Sequence, residues 1–115
     1  MIMVLEMTRS RNDGEVFRAL ADRTRRGIFE NLMRRGELNV QALTQAAGVS
    51  QPAVSKHLLV LRRAHLVQQR RMGREMHYRA RPEALAPMVD WLEQYGAFWR
   101  EKLDKLEAVL ERMEK

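Results

Sequence analysis

No cysteine occurs anywhere in the chain, which excludes disulfides, thiolate metal sites and thiol redox sensing. No apolar run approaches the ~18 residues that a membrane-spanning helix needs. The opening MIMVLEM is too short for a secretory signal and has neither a basic n-region nor a small-residue cleavage site. The expected setting is therefore the cytoplasm. Catalytic groupings are missing as well. The three histidines are scattered without paired carboxylates and do not have metal-site spacing. No Ser–His–Asp set falls where the folding pattern would join it, and there is no glycine-rich phosphate loop. The expectation is a protein that is not an enzyme and holds no cofactor or metal.

What is present is one domain's length, 115 residues, enough to bury roughly two-thirds of the unfolded surface. A hydrophobic content of 45% with 31% charged residues fits a soluble, helix-rich globule. The net charge of +6 is unevenly spread. Residues 1–49 carry eight basic and six acidic groups, residues 50–81 carry eight basic groups against Glu75 alone, and residues 82–115 carry five basic and eight acidic groups. A basic middle with an acidic flank is a footprint for a polyanion such as double-stranded DNA.

The basic middle opens with VSQPAVSKHLLVLRRAHL, Val49 to Leu66. Ser50 supplies an N-cap hydroxyl, and Pro52 sits early, where its missing N–H costs little. Val54, His57, Leu58, Leu61 and Ala64 recur at three- and four-residue spacing and form the inward face of a helix over 51–64. At about 100° per residue, the opposite face carries Gln51, Pro52, Ser55, Lys56, Leu59, Arg62 and Arg63 and no carboxylate. Gln pairs bidentately with adenine, Ser bonds either kind of base, and Lys or Arg takes guanine or phosphate. Leu59 either touches a thymine methyl or is covered elsewhere. His57 lies on the apolar side, which favours a buried, hydrogen-bonded histidine over a metal ligand.

The preceding residues supply its partner helices. Met1 to Asn12 show no periodicity and form an N-terminal arm; Met3 and Met7 are alternative starts. Asp13 reads as an N-cap for a helix with Val16, Phe17 and Leu20 as its stripe. Asp22 opens a second helix with Ile28, Phe29, Leu32 and Met33 inward and Gly36 as its stop. Arg23, Arg25 and Arg26 near its start either reach phosphate or form a solvated face. Asn39 caps a short helix, Val40 to Ala47, with Leu43 and Ala46 inward and Gly48 ending it. Two helices joined by Ala47-Gly48-Val49-Ser50 have helix-turn-helix spacing.

After Leu66 the period changes from 3.6 to 2 and gives two strands, LVQQRR and EMHYRA, joined by Met72-Gly73-Arg74. Arg70, Arg71 and Arg74 crowd the tip, with Arg79 and Arg81 behind them. A basic hairpin directly after a helix-turn-helix is a wing. Pro82 and Pro87 bracket a short turn, and a long helix runs from about Met88 to Met113. Its stripe is Met88, Leu92, Tyr95, Trp99, Leu103, Leu106, Leu110 and Met113, widened by Trp91, Phe98 and Val109. About 26 residues span roughly 39 Å, more than a compact domain needs, which favours a two-fold helical interface. The domain division is an arm at 1–12, a winged helix-turn-helix region at 13–81 and a C-terminal dimerisation helix at 82–115, within one structural domain.

These runs resemble the ArsR family of winged helix-turn-helix repressors. The resemblance is carried by LADRTRRGIFENL (Leu20–Leu32), by ELNVQALTQAAGVSQPAVSKHLLVLRRAHLV (Glu37–Val67) and by GREMHYRA (Gly73–Ala80). It implies a homodimer built from the first and last helices, one recognition helix per subunit in the major groove, and repression by occupying an operator. Metal sensors of the family carry ELCVCDL, where this chain has Asn39 and Gln41 at the cysteine positions. Their other site uses Asp and His pairs on the last helix, which here has no histidine. WLEQYGAFW looks more like the cysteine-free autorepressor branch.

The fold expected is mostly α with a small β-hairpin. The expected DNA-binding residues are Ser50, Gln51, Ser55, Lys56, Arg62, Arg63, Arg71 and Arg74. The expected dimer interface comprises Val16, Phe17, Trp91, Leu92, Tyr95, Phe98, Trp99, Leu103, Leu106 and Leu110. Two rivals remain at this point. One is a winged-helix protein-interaction module with weak DNA binding; the other is a metal-responsive repressor with a non-standard site.

Overall fold

Three of the helices begin where a short polar side chain takes an orphan N–H of the first turn. The structure, a computed structural model, describes residues 14–114. The arm at 1–12 and the Asp13 cap lie outside the described residues. Helix α1 covers 14–21. Asp22 then caps α2 (Arg23–Arg35), its carboxylate accepting from the Arg25 N–H at 2.8 Å. Asn39 caps α3 (Val40–Ala47) through the Ala42 N–H at 2.8 Å. Ser50 caps α4 (Gln51–Arg63) through the Ala53 N–H at 3.3 Å. Gly48 adopts φ 71° between α3 and α4, a left-handed conformation that carries no side-chain penalty in glycine.

The hairpin follows as β2 (Val67–Met72) and β3 (Glu75–Ala80). Met72 pairs with Glu75, which leaves a two-residue turn at Gly73-Arg74, with Gly73 at φ 64°. A third strand, β1 (Leu38–Asn39), pairs antiparallel with β3 through Leu38–Tyr78 and Asn39–His77, giving the order β1-β3-β2. A 3-10 turn at Pro82–Leu85 leads into α5 (Ala86–Glu114). The long helix thus starts slightly before the sequence reading and takes Pro87 into its first turn, where proline is tolerated.

One core joins α1 to α4 and the hairpin. It contains Val16, Ala19, Ile28, Phe29, Leu32, Leu43, Val54, Leu58, Leu61, Ala64, Leu66, Val67 and Tyr78. Burying each of the larger aliphatic side chains stabilises the fold by about 1.5–3 kcal/mol. Met88 packs against this core, but no residue of α5 is fully buried. The mostly helical winged architecture expected from the sequence is therefore present.

Two inward assignments and one interface assignment are corrected. Met33 is 46% exposed, because it lies at the edge of the arc that Ile28, Phe29 and Leu32 define. Ala46 is exposed, and Ala47, one residue on, is the partly buried alanine of α3. Val16, expected at a dimer interface, is 2% exposed and sits in the chain's own core, so it has no surface left for a partner.

Candidate nucleic-acid interface

The fold fixes which side of α4 is free. Val54, Leu58 and Leu61 are buried, and His57 is half-buried beside them. Gln51, Ser55, Lys56, Leu59, Arg62 and Arg63 are consequently exposed together on the outer face. Ser50 is exposed at its start, with its hydroxyl oxygen engaged by the Ala53 N–H. Arg62 and Arg63 lie in the last turn, where cations also complement the helix C-terminus. No acidic residue stands in the first turn, whose N–H groups favour an anion. Leu59 lies on the same face and is 41% exposed.

The arginines of the hairpin divide by partner. Arg70 makes a fork to Glu37, with Nη2 to Oε2 at 2.9 Å and Nε to Oε1 at 3.2 Å. Arg79 donates to the Gln68 side-chain oxygen across the strand pair, and Arg81 donates to Glu83 at 2.9 Å. That bond from Arg81 holds the Glu83 carboxyl below its usual value. Arg71 donates only to the Gly73 carbonyl, at 3.4 Å. Arg74 has no hydrogen-bond or ion-pair partner among the described residues. The uncompensated charge of the wing therefore sits at Arg71 and Arg74, on its tip. Arg70, which the sequence pattern placed with them, is turned back onto the body.

Glu75, the only acid within 50–81, accepts from Asn39 Nδ2 at 3.4 Å and from His77 Nε2 at 3.2 Å. It lines an open groove of about 220 Å³ with Asn39, Val40, Gln41, Gln51 and Met76. Gln41, an exposed amide at the start of α3, is thereby brought beside Gln51. The sequence reading considered Gln41 only as a lost cysteine position. Its place in the first turn of the first helix of the pair was the signal available. Arg25 is the other residue missed: read as basic surface, it is half-buried and bonded to α1.

The residues expected at a two-fold interface form an aromatic run on α5 that α1 only begins to cover. Phe17 meets Trp91 edge to face at 5.7 Å, Trp91 lies 4.8 Å from Tyr95, and Phe98 lies 6.1 Å from Trp99. Leu92, Leu103, Leu106 and Leu110 continue as exposed side chains, and Trp99 is 61% exposed. Among the described residues, no group of three or more His, Asp or Glu side chains gathers into a metal site. No helix among them is long and apolar enough to cross a membrane.

Comparison with known proteins points the same way. The profile of a family described as a helix-turn-helix domain matches residues 20–70. The arsenical resistance operon repressor of Escherichia coli is 35% identical over 99 residues, covering 86% of this chain and 82% of that protein. The HTH-type transcriptional regulator Rv2034 of Mycobacterium tuberculosis is 40% identical over 97 residues, covering 84% and 87%. Among solved structures, an ArsR-like transcriptional regulator from Rhodococcus sp. RHA1 superposes with a TM-score of 0.68 at 33% identity. That match covers 87% of this chain and 93% of the other.

Proposed function

Because the chain belongs to the ArsR family of DNA-binding transcriptional repressors, we propose that it acts in the cytoplasm as a homodimer on an imperfectly palindromic operator. Residues 13–81 form the DNA-binding region and residues 82–115 the dimerisation helix. Each α4 enters the major groove, where Gln51, Ser55 and Lys56 contact base edges and Ser50, Arg62 and Arg63 contact bases or nearby phosphates. Gln41 lies beside Gln51 and extends that contact at the start of α3. Arg71 and Arg74 carry the wing to the backbone or minor groove. Phe17, Trp91, Leu92, Tyr95, Phe98, Trp99, Leu103, Leu106 and Leu110 pair the two subunits. No metal, cofactor or membrane has a part in this reading.

The observation that carries it is an exposed, acid-free outer face on α4 together with a wing-tip arginine, Arg74, that has no partner among the described residues. The test is selection of bound duplexes from a random DNA pool, followed by anisotropy titrations at two salt concentrations. The expected result is a two-fold symmetric motif with half-sites about one helical turn apart, bound far more tightly than scrambled DNA. Gln51→Ala or Ser55→Ala should then relax discrimination at one or two base pairs by about 1–3 kcal/mol. Intact discrimination in Gln51→Ala would mean that α4 docks differently.

A further inference from the structure

An arginine on the inward stripe of a helix requires partners, and Arg25 is such a residue. At about 100° per residue, it falls inside the arc of Ile28, Leu32 and Phe29, the buried face of α2. Its guanidinium is spread over two other helices. Nε donates to the Ala19 carbonyl at 2.6 Å and Nη2 to the Arg18 carbonyl at 3.0 Å, both in the last turn of α1. Arg26 Nη1 takes the next carbonyl, that of Leu20, at 2.9 Å. These are carbonyls that a helix end leaves without intrahelical partners, and a cation suits that end of the dipole. The remaining nitrogen of Arg25, Nη1, faces Nδ1 of His57 on α4 at 3.4 Å. A guanidinium has no acceptor, so the histidine nitrogen facing it is the unprotonated one and receives the contact. One side chain on α2 thus links α1 to the inner side of α4. Helix α1 in turn meets α5 through Phe17 and Trp91.

We propose that Arg25 is a positioning residue that fixes α4 relative to the subunit-pairing helices, and so sets the half-site spacing the dimer accepts. The proposal rests on the dimeric reading above. In a dimer, each α4 is held at a distance from the two-fold axis by the path α5, α1, Arg25, His57. A loose joint in that path leaves each helix able to read its half-site but lets the pair fit several separations. A firm joint makes simultaneous engagement depend on one separation, and avidity is lost when geometry forbids both contacts.

The experiment measures affinity for the selected motif, for versions with one base pair inserted or removed between the half-sites, and for a single half-site. The proteins are the parent, Arg25→Gln, His57→Phe and His57→Asn, with sedimentation to report dimer content. One added base pair shifts a half-site by ~3.4 Å and turns it by ~34°, so the parent should lose at least about tenfold at altered spacing. Arg25→Gln should bind the parent spacing about tenfold more weakly, with its preference shrinking to within about threefold, at unchanged half-site affinity. His57→Phe keeps a ring and the Arg25 cap on α1 but removes the acceptor, so it should repeat the loss of spacing preference. It also keeps the test open should Arg25→Gln fail to fold. His57→Asn keeps an acceptor near Nδ1 and should retain the preference. If the folded variants lower every affinity equally and keep the parent's spacing preference, the proposal is overturned and Arg25 merely stabilises the fold. If the parent is not a dimer, the dimeric reading fails and the proposal with it; a dimeric parent without spacing preference overturns the proposal alone.

Discussion

Arg70 and Arg74 approach the same hairpin tip, but their charges are committed differently. The Arg70 fork to Glu37 is an exposed pair, worth at most about 1 kcal/mol to stability. It nonetheless offsets the guanidinium charge before any polyanion arrives. Arg74 has no such partner among the described residues. A lysine or arginine that neutralises one phosphate releases counterions and adds about 0.9 to the slope of log affinity against log salt. Arg74→Ala should therefore weaken operator and scrambled DNA alike and lower that slope by about one. Arg70→Ala, in which a compensated charge is removed and Glu37 is left behind, should weaken binding without removing a phosphate contact. Titrations of both variants at four salt concentrations separate these outcomes. A slope unchanged by Arg74→Ala would place the wing tip away from the backbone.

The caps explain why α2, α3 and α4 begin where they do, and Asp22 makes the point testable by pH. Its carboxyl is held below the usual 3.8 chiefly by the bond from the Arg25 N–H, which outweighs the upward push of desolvation, with the Arg25 charge and a bond from the Thr24 N–H assisting. A carboxyl whose folded value is depressed leaves the unfolded chain binding more protons. Its stabilising contribution is fully present above about pH 4 and is lost as pH falls through the lowered folded value. Asp22→Ala should cost about 1 kcal/mol at neutral pH through the lost cap. Asp22→Asn, which still caps, should cost less there and flatten the acid limb of a urea-midpoint profile measured from pH 6 to 2.5. An acid limb identical to the parent's would assign the acid sensitivity to other carboxyls. Caps of this kind, with the switch from period 3.6 to period 2 after Leu66, made α2, α3, α4 and the hairpin legible in the sequence. The strand Leu38–Asn39 was not, because two residues have no period and become a strand only by pairing with Tyr78 and His77. Ala46 and Ala47 could not be told apart by pattern, since an alanine on either side of the Leu43 direction buries little surface. Arg25 was legible by angle, but a cluster of arginines reads as surface until the carbonyls of α1 are seen to need donors.

Whether the molecule is complete as one chain turns on α5. Its 29 residues extend roughly 43 Å at the helical rise, and only its start, through Met88, packs against the core. Beyond that point the aromatic and leucine stripe from Trp91 to Met113 is exposed, a contiguous apolar face of the kind that marks an association surface. Trp99 lies near the middle of this stripe, and large aromatic side chains at interface centres carry a disproportionate share of binding energy. Trp99→Ala should weaken the dimer by about 2 kcal/mol or more, roughly thirtyfold. Because Trp99 is 61% exposed within one chain, the same change should leave the fold of the subunit largely intact. Sedimentation equilibrium reads the first effect, and affinity for a single half-site reads the second. Full-operator affinity should fall with the dimer while half-site affinity holds, since the second half-site contributes only when both recognition helices arrive together. A variant that remains as dimeric as the parent would place the two-fold contact elsewhere on the chain. Equal losses on full and half sites would instead place Trp99 in the support of α4.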